Sequence, residues 1–198
     1  MPNSPEHKEN SRHRILASAF KLFSTNGYDN ISINQIMADA EMTRGAFYGH
    51  FENKSVLYRE AIFYAAGNSE IVRNKPEKLS DKEWIKKLIQ KYLDKNNVTN
   101  DCPCPLAALI TDVTVREPNV RKAYTRTFKR MNHRIVGYAQ TFSNSSSDTV
   151  LATTAMIIGG LAIARAVDDP QLSKQLLKSC TIEALRLLDI DNEKQSKP

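Results

Sequence analysis

Residues 32–58, SINQIMADAEMTRGAFYGHFENKSVLY, carry apolar side chains at a spacing that suits two short helices joined by a tight turn. Ile33, Ile36, Met37 and Ala40 fall at i, i+3, i+4 and i+7, and Ser32 stands where a helix cap belongs. A break follows at Glu41 and Met42, and Thr43 is placed to cap a second helix. That helix turns Phe47 inward, with Phe51 just beyond it, and leaves Thr43, Arg44, Gly45, Tyr48 and His50 on its outer side or at its ends. Hydroxyls, a cation, a glycine and a tyrosine are a poor core. They suit phosphates and base edges in a major groove. The spacing predicts a helix-turn-helix.

The flanking sequence extends this unit. Ile15, Leu16, Ala19, Phe20, Leu22 and Phe23 mark an amphipathic helix from about Ser11 to Asn26, stopped by Gly27. Residues 1–10 are polar with two prolines and read as a disordered tail, so the DNA module is expected over 11–53. Asn53 is placed to cap a fourth helix that opens at Lys54 and runs toward Asn68; with the following PEKLSDK it makes a connecting segment over 54–80. From Asp81 to about residue 190 every apolar pattern has helical period, and 191–198 is a solvated tail. The fold class expected is all-α: a three-helix DNA module, a connecting helix and a larger helical regulatory and dimerisation domain.

Charge does not locate the DNA site. The net +6 lies wholly beyond residue 64, because residues 1–64 carry seven cations and seven anions. Local placement matters more, since Arg12, Arg14, Arg44 and Lys54 can flank the second helix and phosphate contact depends on nearby cations. The N-terminus lacks an apolar signal region and the chain has three cysteines, which points to reduced thiols in a cytoplasm. Histidines 7, 13, 50 and 133 are scattered, and there is no GxSxG, phosphate-cradling loop or arranged acid–base pair. No enzyme, metal or cofactor is expected.

At these residues the chain also resembles a known family. Residues 12–58, and AEMTRGAFYGHFENKSVLY throughout, are similar to the N-terminal domain of TetR/AcrR-type bacterial transcriptional repressors. The resemblance covers about the first third of the chain; the rest matches in helical character and length. It implies a homodimer on palindromic double-stranded DNA, released by a small-molecule effector bound in the second domain. By resemblance, Thr43 and the helix start would meet phosphate, and Arg44 a base edge or phosphate. Gly45 would permit close approach, Tyr48 and His50 would meet the backbone, and Lys54 would add its charge at the start of the fourth helix. Ser32 joins this DNA-binding set. Trp84, Leu109, Tyr124, Phe128, Met131 and Met156 are candidates to line the effector cavity, although helical spacing alone does not separate pocket from core.

Two further features stand out. Residues 150–167, VLATTAMIIGGLAIARAV, approach the length of a membrane span, but the threonines, the glycine pair and Arg165 favour a helix buried by protein on nearly all sides. Gly159 and Gly160 cost helix stability and imply a closely packed neighbour. This helix and the next, at about 171–189, are expected to pair with their twins in a dimer. Cys102 and Cys104 in DCPCP are possible sensor thiols, Cys104 as the N-cap of a helix begun by Pro105. The alternatives are a DNA-binding regulator without a small ligand or with cysteine-based electrophile or redox sensing and, from another class, a helical protein-interaction module.

Overall fold

The computed structural model describes residues 4–68, 75–99 and 103–191, and among them every regular element is helical. The α-helices are α1 (Pro5–Asn26), α2 (Ile33–Asp39), α3 (Arg44–Phe47), α4 (Lys54–Gly67), α5 (Asp81–Tyr92), α6 (Pro105–Ala108), α7 (Pro118–Ala139), α8 (Ser147–Ala166) and α9 (Pro170–Leu187). Their starts follow local chemistry. Ser32 with Gln35 and Ser80 with Glu83 form reciprocal capping boxes, while Asn53, Ser146 and Asp169 accept backbone N–H groups at the heads of α4, α8 and α9. Gly27 ends α1 at φ +79° and ψ 160°, a conformation open only to glycine at little cost.

Helix α1 begins six residues before the expected Ser11. Ser4 accepts the His7 N–H at 3.2 Å, and Pro5 occupies the first helical position, where a missing N–H costs nothing. The stretch from Pro5 to Asn10, read as tail from its polarity, is therefore helix.

The described residues form two compact units, the first from 4–68 with 103–127, the second from 75–99 with 128–191. The expected boundary at Asp81 misses this exchange. In the first unit Ile15, Phe20, Phe23, Ile36, Met37, Phe47, Phe51, Leu57, Tyr58 and Ile62 form one core, closed by Leu109, Val113 and Val120 from the later stretch. Phe23 meets Tyr58 edge-on with centroids 4.8 Å apart. The helix begun by Pro105 is a single turn, α6, followed by a 3-10 turn at Asp112–Val115.

In the second unit α8 packs on α9, and both meet α5. Helix α8 is not buried on nearly all sides. Thr153 and Thr154 face inward because their hydroxyls are satisfied there, by the Thr149 carbonyl at 2.8 Å and by the Val150 carbonyl and Asn132 at 2.9 Å. Leu151 and Ile163 remain 43% and 54% exposed, and on α9 Leu172 and Ile182 are 48% and 57% exposed. Of the glycine pair, only Gly160 is demanded by packing: a Cβ there would lie 2.7 Å from Cys180 Sγ, whereas one on Gly159 would meet nothing within 4 Å.

Candidate nucleic-acid interface

The turn between α2 and α3 fixes which residues face out. Glu41 adopts φ 53°, and the Met42 N–H returns to the Met37 carbonyl at 2.8 Å, closing α2 and redirecting the chain. Thr43 then starts α3, one turn long and extended by turn bonds from His50 to Phe47 (2.9 Å) and from Phe51 to Phe47 (2.9 Å). Phe47 and Phe51 are buried and anchor this segment; Tyr48, next in sequence, is 60% exposed. Thr43, Arg44 and Gly45 are also exposed. The Thr43 side chain makes no capping bond. Arg44 has no hydrogen-bond or ion-pair partner among the described residues, and a Cβ on Gly45 would meet nothing within 4 Å. Nothing among the described residues requires glycine there.

Two predicted site residues bond within the protein, and a third is partly enclosed. Ser32 spends its hydroxyl on Gln35, donating to Oε1 at 2.7 Å and accepting the N–H at 3.3 Å. The Lys54 ammonium donates to the Tyr28 carbonyl and lies 4.1 Å from the Tyr28 ring centroid; burial pushes its pKa down. Its charge is directed at Tyr28 and not outward from the start of α4. His50 is half-buried, and its Nδ1 is enclosed without a partner among the described residues. Burial first, then the charges of Lys8 and Arg12, holds the imidazole below its ordinary pKa and so neutral. Of the flanking arginines, Arg12 pairs with Glu60 and lies 4.7 Å over the Phe51 ring. Arg14 donates to the Ala40 carbonyl at 2.6 Å and Glu41 at 3.0 Å. Lys8, in the stretch whose polarity reads as tail, lies on α1. The extension of α1 brings its charge into the surroundings of His50.

A clamp unrecognised in the sequence ties the Asp112–Val115 turn to the DNA module. Tyr58 donates its hydroxyl to Asp112 Oδ2 at 2.5 Å. Arg116 donates to both Asp29 oxygens at 2.8 and 2.6 Å and to Asp112 Oδ1 at 3.2 Å, with its guanidinium 4.6 Å from the Tyr28 ring centroid. Burial and the Asp112 bond push the Tyr58 pKa up, and the Arg116 bond pulls Asp29 down. No spacing rule links residues 87 positions apart, so only the fold exposes this set.

The six expected pocket residues divide between the units, Leu109 and Tyr124 in the first and Trp84, Phe128, Met131 and Met156 in the second. Leu109 belongs to the core around the DNA module. Tyr124 packs against that core and donates to the Leu106 carbonyl at 2.6 Å; burial, then Cys104, raises its pKa to about 12. Of the four others, Trp84 and Met131 are buried, and Trp84 Nε1 has no partner among the described residues. Cys104 is the N-cap of α6 with Pro105 at the first helical position, and it is partly exposed. Cys180 is buried, which raises its thiol pKa, and Cys102 lies outside the described residues.

Comparison with known proteins supports the module and the fold. The family described as bacterial regulatory proteins, tetR family, matches residues 15–61. The HTH-type transcriptional regulator AcrR of Shigella flexneri is 40% identical over 55 residues, which cover 28% of this chain and 26% of that protein. Full-length likeness appears in structure. A transcriptional regulator of the TetR/AcrR family superposes with a TM-score of 0.76 at 16% identity, covering 91% of this chain and 100% of the other. A regulator from Saccharomonospora viridis, solved in complex with choline, superposes with a TM-score of 0.73 at 19% identity, covering 90% and 96%. Residues 15–61, which contain this helix-turn-helix, thus match the TetR family of bacterial regulatory proteins, and the all-helical fold is the one seen in solved structures of that family.

Proposed function

We propose that this chain is a dimeric, sequence-specific DNA-binding repressor of the cytoplasm, released from its operator by a small-molecule effector. The carrying observation is the opposition on one helical turn between buried Phe47 and exposed Thr43, Arg44, Gly45 and Tyr48. The inner ring supplies rigidity, and the outer residues supply a cation, two hydroxyls and a position without a side chain. Lys8 adds a cation near His50, at the end of this segment. Ser32 contributes by capping α2, and Lys54 by holding Tyr28.

Dimerisation is supported by the apolar residues left exposed on α8 and α9. Two DNA modules related by a two-fold axis then meet successive major grooves about 34–36 Å apart. An effector that prefers one separation of the modules shifts the equilibrium by its differential affinity. The unpartnered indole N–H of Trp84 supports a polar ligand group in the second unit. A second reading, control through thiol chemistry, is favoured by the partly exposed Cys104 at a helix start.

The test is fluorescence anisotropy with duplexes recovered by the protein from genomic DNA. Arg44→Ala is expected to weaken binding at least about fivefold, with loss of about one phosphate contact from the salt slope if Arg44 meets the backbone. Tyr48→Phe is expected to weaken it more modestly, with helical content intact in both. Unchanged affinity in both variants would remove the assignment.

A further inference from the structure

The first unit contains a cavity of about 710 Å³ bounded by α1, α4 and the N-terminal part of α7. Its apolar lining is Leu16 and Ala123, both buried, with half-buried Phe63 and Tyr64, the latter 5.6 Å from the ring of His13, which also borders the space. Its rim is cationic, with Arg59, Lys122 and Arg126. Lys122 and Arg126 are exposed and make no hydrogen bond or ion pair with any described residue, and the Arg126 guanidinium stands 5.8 Å from the Phe63 ring centroid. Arg59 comes no nearer than 3.9 Å to a carboxylate oxygen, that of Glu60. Glu60 is the one carboxylate in the lining, and Arg12 already engages it.

Three like charges around one cleft repel each other, and the one carboxylate among them is shared with Arg12. An anion placed among them removes that repulsion, and the low-dielectric lining strengthens the attraction. The volume lies in the range of small-molecule sites. Two aromatic side chains under a cationic rim match a flat apolar body carrying an acidic group. We propose that this groove binds a small aromatic organic anion, an aryl carboxylate or sulfonate, with its ring on Phe63 and Tyr64 and its acidic group between Lys122 and Arg126.

Isothermal titration of the full chain with 2-naphthoate, and with uncharged 2-naphthylmethanol, tests this. One naphthoate per chain is expected, with at least tenfold weaker binding of the alcohol. The double variant Lys122→Ala/Arg126→Ala changes only exposed side chains, and it is expected to weaken naphthoate at least tenfold while circular dichroism stays unchanged. Arg59→Gln gives an independent variant, with a smaller loss expected. Amide shifts on titration should centre on Leu16, Phe63, Tyr64 and Asn119. Naphthoate binding that survives the double variant, equals that of the alcohol, or maps to the second unit overturns the proposal. A flattened salt dependence of duplex binding in the double variant, without any naphthoate binding in the parent, assigns the rim to DNA phosphates and also overturns it.

Discussion

Phe47 and Tyr48 stand with ring centroids 5.1 Å apart, yet one is fully buried and the other 60% exposed. That single-residue reversal carries the DNA reading, and the neighbouring His50 makes it sensitive to pH. Folding lowers the His50 pKa, so the native state favours the neutral ring. The stability this contributes is fully present above the unfolded value of about 6.5 and is lost as pH falls through the lowered folded value. Urea unfolding is therefore expected to show a larger loss between about pH 7.5 and 5.5 for the parent than for His50→Gln. An identical pH dependence in the two proteins would contradict it. The cysteines divide in the same local way. Cys104 is accessible at a helix start, whereas burial at Cys180 shields the thiol and disfavours its reactive thiolate. Time-resolved alkylation read by mass spectrometry should label Cys104 well before Cys180, and equal slow rates would remove the basis for thiol sensing.

Among elements, the contact of α8 with α9 is the tightest described for any glycine. Gly160→Ala places a methyl 2.7 Å from Cys180 Sγ and 3.3 Å from its Cβ, so the Cys180 side chain or α9 must shift. A cost of about 1–3 kcal/mol is expected from such overpacking. Adding Cys180→Ala should restore part of it, because the sulfur is the closer atom. Additive losses in that double-mutant cycle would show that the contact is not the cause. A bulky change at Gly160 thus acts first inside one chain, before it can bear on a dimer. The Asp112–Val115 turn is held to α4 by the Tyr58 and Arg116 bonds. Asp112→Ala leaves both donors short of an acceptor and is expected to cost about 1–3 kcal/mol in urea unfolding. A midpoint equal to that of the parent would show the clamp to be dispensable.

For the whole molecule, the exposed apolar residues of α8 and α9 set the expected assembly. Leu151, Ile163, Leu172 and Ile182 all lie on these two helices, and a dimer would remove such side chains from water at about 1.5–3 kcal/mol for each one fully buried. Ile163→Asp combined with Leu172→Asp should convert a two-fold dimer into a folded monomer in sedimentation, with palindrome affinity falling more than half-site affinity. A parent protein that sediments as a monomer at micromolar concentration would exclude the assembly. Helix α8 is also long and apolar enough by composition to cross a membrane, but its buried threonines and the Arg165 bonds to the Asn97 and Val98 carbonyls, both 2.8 Å, tie it into the second unit.

Local rules made most of the secondary structure legible before any coordinates. Asn53, Gly27, Thr43 and Pro105 stand where capping and turn chemistry place them, and Phe47 with Phe51 faces inward as the helical period requires. These features depend on residues within a few positions of one another, which a linear pattern records. Tertiary structure decided the rest. Polarity concealed the helix at Pro5–Asn10, because propensity alone does not reveal how far a capped amphipathic helix extends toward its end. Leu109 and Val113 joined the core of the first unit, Lys54 bonded to Tyr28, and Arg116 reached Asp29, each across a separation for which periodicity carries no information. Burial and pairing are properties of spatial neighbours, so the same helical stripe can become core, ligand wall or subunit interface only once the chain has folded.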